Sequence, residues 1–277
     1  MRKNKDKHGH MRNQYHPAFC DAMTQVLEKD PVKYEYKREY NLNSMSNRID
    51  FLVIKEDSDI GVNEGIGKIF RKYNIFEYKS PNDQLNVDEY YVSMAYAYLY
   101  AHRQTGVKIE DITISFVRYG KPEKLMTYFK ERGFDISLYE EGIYHITKPD
   151  HIDMQIIVTR DLDERYMWLK VLTDQLTRED IVKLAHLAEL EKDPESRQRI
   201  RAILDLVSSL NKDKAWMKEV IGMGAFRDLF NDEFAKKDKQ IEELSEQLQS
   251  KDEQVSLLQK EIESLKEALR VNKIAML

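Results

Sequence analysis

Two stretches, Arg48-Ile-Asp-Phe-Leu-Val-Ile-Lys55 and Gly67-Lys-Ile-Phe-Arg-Lys-Tyr-Asn-Ile-Phe-Glu-Tyr-Lys-Ser-Pro81, decide the fold. At the two-residue period of a strand, Glu77 and Lys79 share one face of the second stretch while Phe76 and Tyr78 occupy the other. A carboxylate and an ammonium thus project side by side from an otherwise apolar strand. Asp50 sits inside Ile49, Phe51, Leu52, Val53 and Ile54, a run too β-branched and apolar for a loop. Burying an acid there costs free energy unless it has a partner. If the two strands are hairpin neighbours, Asp50 and Glu77 meet with Lys79 beside them. Two carboxylates so placed repel each other, and at neutral pH a divalent cation relieves that better than a proton does.

Upstream, Lys33 to Leu42 alternates Tyr34, Tyr36, Arg38 and Tyr40 against charged neighbours, as a half-buried strand does, and Asn41 to Asn47 makes the turn. The segment Ile66 to Lys79 reads as one long strand, bent near Arg71-Lys-Tyr-Asn74. Ahead of these strands, Pro17 to about Asp30 reads as a helix with Phe19, Met23, Val26 and Leu27 on one face.

Ser80-Pro-Asn-Asp83 breaks the chain before a helix that carries Val87, Tyr90, Tyr91, Met94, Ala95, Tyr98 and Leu99 to about Gln104. Ile112 to Val117 is nearly continuous in apolar residues, which fits a strand covered on both faces. Strand, helix, strand in this order implies a parallel pair joined by a right-handed crossover. The expected architecture is an α/β fold with an α-β-β-β-α-β core and a mixed sheet. A short helix at Glu123 to Glu131 and strands near 134–138, 143–147 and 154–158 extend it to about Asp161. His102 reads as a surface residue at the helix end, and His145 and His151 are isolated and read as structural.

The 277 residues suffice for one or two domains with a real core. A single cysteine, Cys20, excludes an intrachain disulfide and a cysteine-based zinc site. No apolar run reaches membrane-spanning length and no secretory signal pattern opens the chain, so the expectation is a cytoplasmic protein without a membrane partner. The net charge of −5 requires any contact with nucleic acid to come from local basic groups. Residues 1–16, with five Lys or Arg and three His, read as a disordered basic tail, and 17–161 as the main domain.

Beyond it the pattern turns helical. Residues 162–230 read as a small bundle, with Trp168 and Trp216 in its core. Residues 231–271 read as a coiled coil: Ile241, Leu244, Leu248, Val255, Leu258, Ile262, Leu265 and Leu269 follow a seven-residue repeat, interrupted by Lys251. A narrow aliphatic stripe wants a partner helix, because each CH2 left in water costs about 0.8 kcal/mol. A homodimer is expected, with Lys251 selecting register or strand number.

An Asp followed one strand later by Glu-x-Lys resembles the signature of the PD-(D/E)XK phosphodiesterase superfamily. The words Asn41-Leu-Asn43, Arg48-Ile-Asp50, Ile66-Gly-Lys-Ile-Phe-Arg-Lys72 and Glu77-Tyr-Lys-Ser-Pro81 resemble its recombination-promoting nuclease, transposase-like branch. The resemblance covers about the first half of the chain. A second triplet, Glu35-Tyr-Lys37, lacks an acid placed as Asp50 is.

The resemblance implies a restriction-endonuclease-like core and a metal-dependent endonuclease hydrolysing DNA, associated with transposition or recombination. Asp50 and Glu77 would hold Mg2+ or Mn2+ with the main-chain carbonyl of Tyr78, and Lys79 would orient the nucleophile or stabilise the transition state. It further implies an acid from the first helix, for which Glu28 is preferred over Asp21. Arg71 and Lys72 are candidate phosphate contacts. The rival expectation is a non-catalytic DNA-binding or scaffold protein with a nuclease-like head and an oligomerising coiled coil.

Overall fold

A computed structural model of the chain describes residues 3–42, 48–57, 60–62, 64–216, 239–241, 243–245, 247–262 and 264–266, with side chains from Tyr15 onward. The strands are β1 (Tyr34–Asn41), β2 (Arg48–Lys55), β3 (Tyr73–Lys79), β4 (Ile112–Arg118), β5 (Asp135–Glu140), β6 (Ile143–Thr147) and β7 (Asp153–Val158). The helices are α1 (Lys3–Leu27), α2 (Val87–Arg103), α3 (Glu123–Glu131), α4 (Met167–Lys170), α5 (Arg178–Leu190) and α6 (Pro194–Asn211). One seven-stranded mixed sheet runs in the order β1-β2-β3-β4-β7-β6-β5. β1, β2 and β3 are successively antiparallel, and β3, β4 and β7 are mutually parallel at the centre. β7, β6 and β5 finish it as antiparallel neighbours.

The central strands are the most apolar, and they are buried on both faces as parallel strands require. On one face α2 lays Tyr90, Met94, Ala97 and Tyr100, spaced at helical period, over Leu52, Ile75, Ile114 and Ile156. Asn86 caps this helix, its side-chain oxygen accepting the N–H groups of Asp88 and Glu89. On the other face Phe19 of α1 meets Phe51 edge-on at 6.2 Å between ring centroids and stacks on Tyr78 at 4.4 Å.

Several expectations change. The first helix does not start at Pro17 but runs back to Lys3, with an exposed Pro17 in its interior. Proline there withholds one N–H from the helix without ending it. From Ala18 to Leu27 every α1 residue is buried, so the helix is covered all round and not along one stripe. The cover is α6, which packs along α1 and joins it through Gln25 and Ser196. The chain divides into two compact units between residues 225 and 226. Helices α4, α5 and α6 therefore belong to the first unit, and α4 places Trp168 and Leu169 in its core.

The long strand expected from Ile66 is shorter. Ile66–Ile69 is a 3-10 turn and pairing begins at Tyr73, after Asn74 has accepted the Arg71 N–H and donated to the Arg71 carbonyl. In β1, Glu39 takes a left-handed φ of 45°, which disturbs the alternation read from the sequence.

In the second unit, the described residues between 239 and 266 are helical. Ile241, Leu244, Leu248, Val255, Leu258, Ile262 and Leu265 each leave half or more of their surface exposed. The remainder of the expected coiled coil, 231–238, 242, 246, 263 and 267–271 with Leu269, lies outside the described residues, as does 217–230 of the expected bundle. No described helix is long and apolar enough to cross a membrane.

Candidate active site

The ladder between β2 and β3 runs from Ile54 opposite Tyr73 to Phe51 opposite Phe76. Just past it lie Asp50 and Glu77. There the Asp50 side chain takes over from the main chain, its Oδ2 accepting the Tyr78 N–H at 3.0 Å. This bond fixes the first carboxylate against the backbone of the Glu77-Tyr78-Lys79 segment. The Tyr78 ring points the other way, into the aromatic layer against α1.

Glu77 and Lys79 pair at 2.8 Å, and Lys79 also reaches Glu89 of α2 at 2.7 Å. The Lys79 ammonium is thus clamped between two carboxylates from different elements, with only 11% of its side chain exposed. Burial works against that charge, but Glu77 and Glu89 outweigh it and hold the pKa above the ordinary lysine value. Glu77 is pushed up to about 7, first by burial, then by the negative charge of Asp50; Lys79 opposes both without cancelling them. Asp50 and Glu77 are the next positions beyond the Phe51–Phe76 pair, so the two carboxylates come from adjacent strands at the same level.

The chemistry of this donor set fits the divalent ion that the sequence implies. Carboxylate and carbonyl oxygens are hard ligands, and a second positive charge would remove the demand that keeps Glu77 near neutrality. Among the described residues no group of three or more His, Cys, Asp and Glu side chains is arranged to hold a metal. Magnesium sites commonly use one or two carboxylates and fill the remaining positions with water and phosphate oxygens. Asp50, Glu77 and the Tyr78 carbonyl are the residues that would hold it.

The acid expected from the first helix is not here. Glu28, just past the end of α1, pairs with Arg199 of α6. Asp21 is buried against Arg38 of β1 at 2.5 Å. What α1 brings to the site is His16, whose Nδ1 lies 3.4 Å from Asp50 Oδ1 and whose ring meets Tyr78 edge-on. Burial lowers its pKa, but the bond to Asp50 and the charges of Asp50 and Glu77 leave it raised overall.

Sequence reasoning assigned His16 to a disordered tail because Pro17 looked like a helix start. The four-residue spacing of Tyr15, Phe19 and Met23 would have carried the helix through it. Glu89 was missed as well, although its place three residues after the Asn86 cap fixes it in the first turn of α2. Tyr96, two turns on, feels Glu77, Asp50 and Glu89, after burial, as upward pushes on its phenol.

Arg71 and Lys72 precede β3, a whole strand, roughly 20 Å, from Lys79. Arg71 pairs with Asp153 at 3.0 Å, and Lys72 lies over Tyr73. Neither is beside the acids, contrary to their closeness in the sequence. His145 stacks on Tyr139, and His151 lies 3.4 Å from the Tyr90 hydroxyl; burial lowers the pKa of both.

No family model matches the chain, and no curated protein or solved structure matches it either.

Proposed function

We propose that the chain is a metal-dependent endonuclease that hydrolyses DNA phosphodiester bonds at Asp50, Glu77 and Lys79. The observation that carries this is geometric: Asp50 is held by the Tyr78 N–H at 3.0 Å beside Glu77 and Lys79, which pair at 2.8 Å with 9% and 11% of their side chains exposed. Burial and then Asp50 push the Glu77 pKa upward. Phosphodiester hydrolysis uses such a set, because it needs a cation seat and a fixed positive charge next to it. The restriction-endonuclease-like core implied by the sequence motifs supports the reading, since antiparallel β1-β2-β3, a helix and a parallel β4 is the expected order.

When bound, Mg2+ or Mn2+ supplies Lewis-acid polarisation of the scissile phosphate and acidifies the attacking water. Asp50, oriented by the Tyr78 N–H and His16, presents its oxygens to that seat. Glu77, which lies 2.8 Å from Lys79, would be the second carboxylate to hold the ion. Glu89 keeps Lys79 in place, so the ammonium meets the charge that develops on the phosphoryl oxygens without having to reorganise. Cleavage of supercoiled plasmid by the full chain tests this. Nicking should appear with Mg2+ or Mn2+, vanish with chelator and vanish in Asp50→Ala; metal-independent nicking, or an active Asp50→Ala, would remove the assignment.

The exposed aliphatic stripe of residues 241–265 supports a homodimer through the helical tail, which would supply one site for each strand of a duplex. Sedimentation equilibrium should give twice the chain mass for the native protein and the chain mass for Leu258→Asp. The scaffold reading keeps the head and the tail but predicts no Mg2+ binding that Glu77→Ala abolishes.

A further inference from the structure

Past Lys79, the neighbouring strands carry a second concave feature. Lys79 pairs with Arg118 in β4, and Arg118 with Val158 in β7, so three parallel strands end together at one edge of the sheet. Ligands of open α/β sheets gather at such carboxyl edges. Tyr119 and Arg160 lie just beyond those ends, and the Arg160 N–H donates to the Tyr119 carbonyl at 3.2 Å. Together with α4 and the 171–176 turn they line a cavity of about 260 Å³.

Arg118 is the register partner of Lys79, and Tyr119, the next residue, lines the cavity. Tyr15 packs 6.4 Å from Tyr78, whose N–H holds Asp50, and Asp174, in the turn that borders the cavity, pushes the Tyr15 pKa upward after burial.

The lining says what would enter. Val171 and Leu176 make a buried apolar wall, and Tyr119 donates to Gln175 at 3.2 Å across the mouth. The two cations are tethered, Arg160 to Asp161 and Lys170 to the Leu162 carbonyl. Asp180, also in the lining, is turned back to accept the Thr177 N–H. Charge therefore nearly balances, which does not suit a free phosphate. A flat polar heterocycle fits better, with an aromatic ring and an apolar wall for its faces and an amide for its edge. A volume slightly under the roughly 300 Å³ at which pockets for drug-sized ligands begin suits a single base with its sugar.

We propose that this cavity receives one unpaired nucleobase of the strand that crosses Asp50, Glu77 and Lys79. The proposal rests on the nuclease reading above and adds a substrate preference to it. An extruded base must first lose its stacking, which is cheapest for a bulged or mismatched nucleotide. Strands carrying such a nucleotide next to the cut are the preferred substrates, ahead of continuous duplex.

The test uses the full chain, with Ca2+ in place of Mg2+, and DNA carrying 2-aminopurine either as a single-nucleotide bulge or fully paired. Wild-type protein should bind the bulged DNA more tightly and change its fluorescence. Tyr119→Ala, which removes a stacking face, and Gln175→Trp, which fills the mouth, should each weaken bulge binding about ten-fold, the size of one lost base contact, and leave paired binding unchanged. Both residues are partly or fully exposed, so the variants keep the core intact. Equal binding of bulged and paired DNA by the wild type, or variants that bind the bulge normally, overturns the base pocket and leaves the nuclease reading standing. Failure to bind either DNA overturns both.

Discussion

The triplet Glu-Tyr-Lys occurs twice, and the two copies have opposite surroundings. Glu35-Tyr36-Lys37 lies on β1, the edge of the sheet, where Glu35 and Lys37 form a 3.4 Å pair with 56% and 37% of their side chains in solvent. Glu77-Tyr78-Lys79 lies on β3, between β2 and β4, where the equivalent pair is 2.8 Å apart and nearly enclosed. The edge pair is two solvated charges whose attraction water largely cancels. The central pair is desolvated, shares a carboxylate from α2 and faces Asp50. Identical side chains at identical spacing become two solvated charges or an enclosed, strongly coupled pair according to which neighbours remove the water.

The largest expected difference is catalytic. Lys79→Ala should reduce metal-dependent plasmid nicking at least about a hundred-fold, the scale for losing one preorganised charge at a developing oxyanion. Lys37→Ala should stay within two-fold; comparable losses in both would mean that position in the sheet does not matter.

Next is pH. Glu77 has its folded pKa raised to about 7 from 4.5, so its contribution to stability is fully present below pH 4.5 and lost as pH rises through about 7. In that window the unfolded chain ionises before the folded one does. Metal-free protein should lose on the order of 1–3 kcal/mol between pH 4.5 and 7.5 in urea titrations. Glu77→Gln should flatten that dependence, whereas Glu35→Gln should leave it as it is; an unchanged profile in Glu77→Gln would mean that burial does not tax this carboxylate.

Asn86→Ala removes the cap that sets the α2 turn carrying Glu89. It should cost about 1 kcal/mol by chemical denaturation. It should also lower the turnover rate with little change in KM, since Glu89 would hold Lys79 less well. Smallest is Glu35→Ala, within about 0.5 kcal/mol of wild type; a larger loss would show the edge pair to be structural.

The difference between the triplets was partly legible. Strand parity put Glu77 and Lys79 on one face and Tyr78 on the other, and the apolar run around Asp50 marked a covered strand. Those inferences are local, and the structure brings the three side chains together at the mouth of the β2-β3 ladder. What was not legible came from far along the chain. Glu28 looked available as an acid until Arg199, 171 residues later, took it. Arg71 looked near the site in sequence, but an extended strand carries neighbours apart at about 3.3 Å per residue.

By itself, the sequence determined the alternation of strands and helices through Asp161, the antiparallel order of the first three strands, and the heptad stripe of the tail. Each follows from periodicity within one segment. Tertiary structure alone decided that α6 would pack along α1, that His16 would reach Asp50 and Glu89 would reach Lys79, and that the turn after α4 would form a cavity past Arg118. A repeating pattern shows which face of an element is apolar; which other element covers that face depends on competition among all the apolar surfaces of the folded chain.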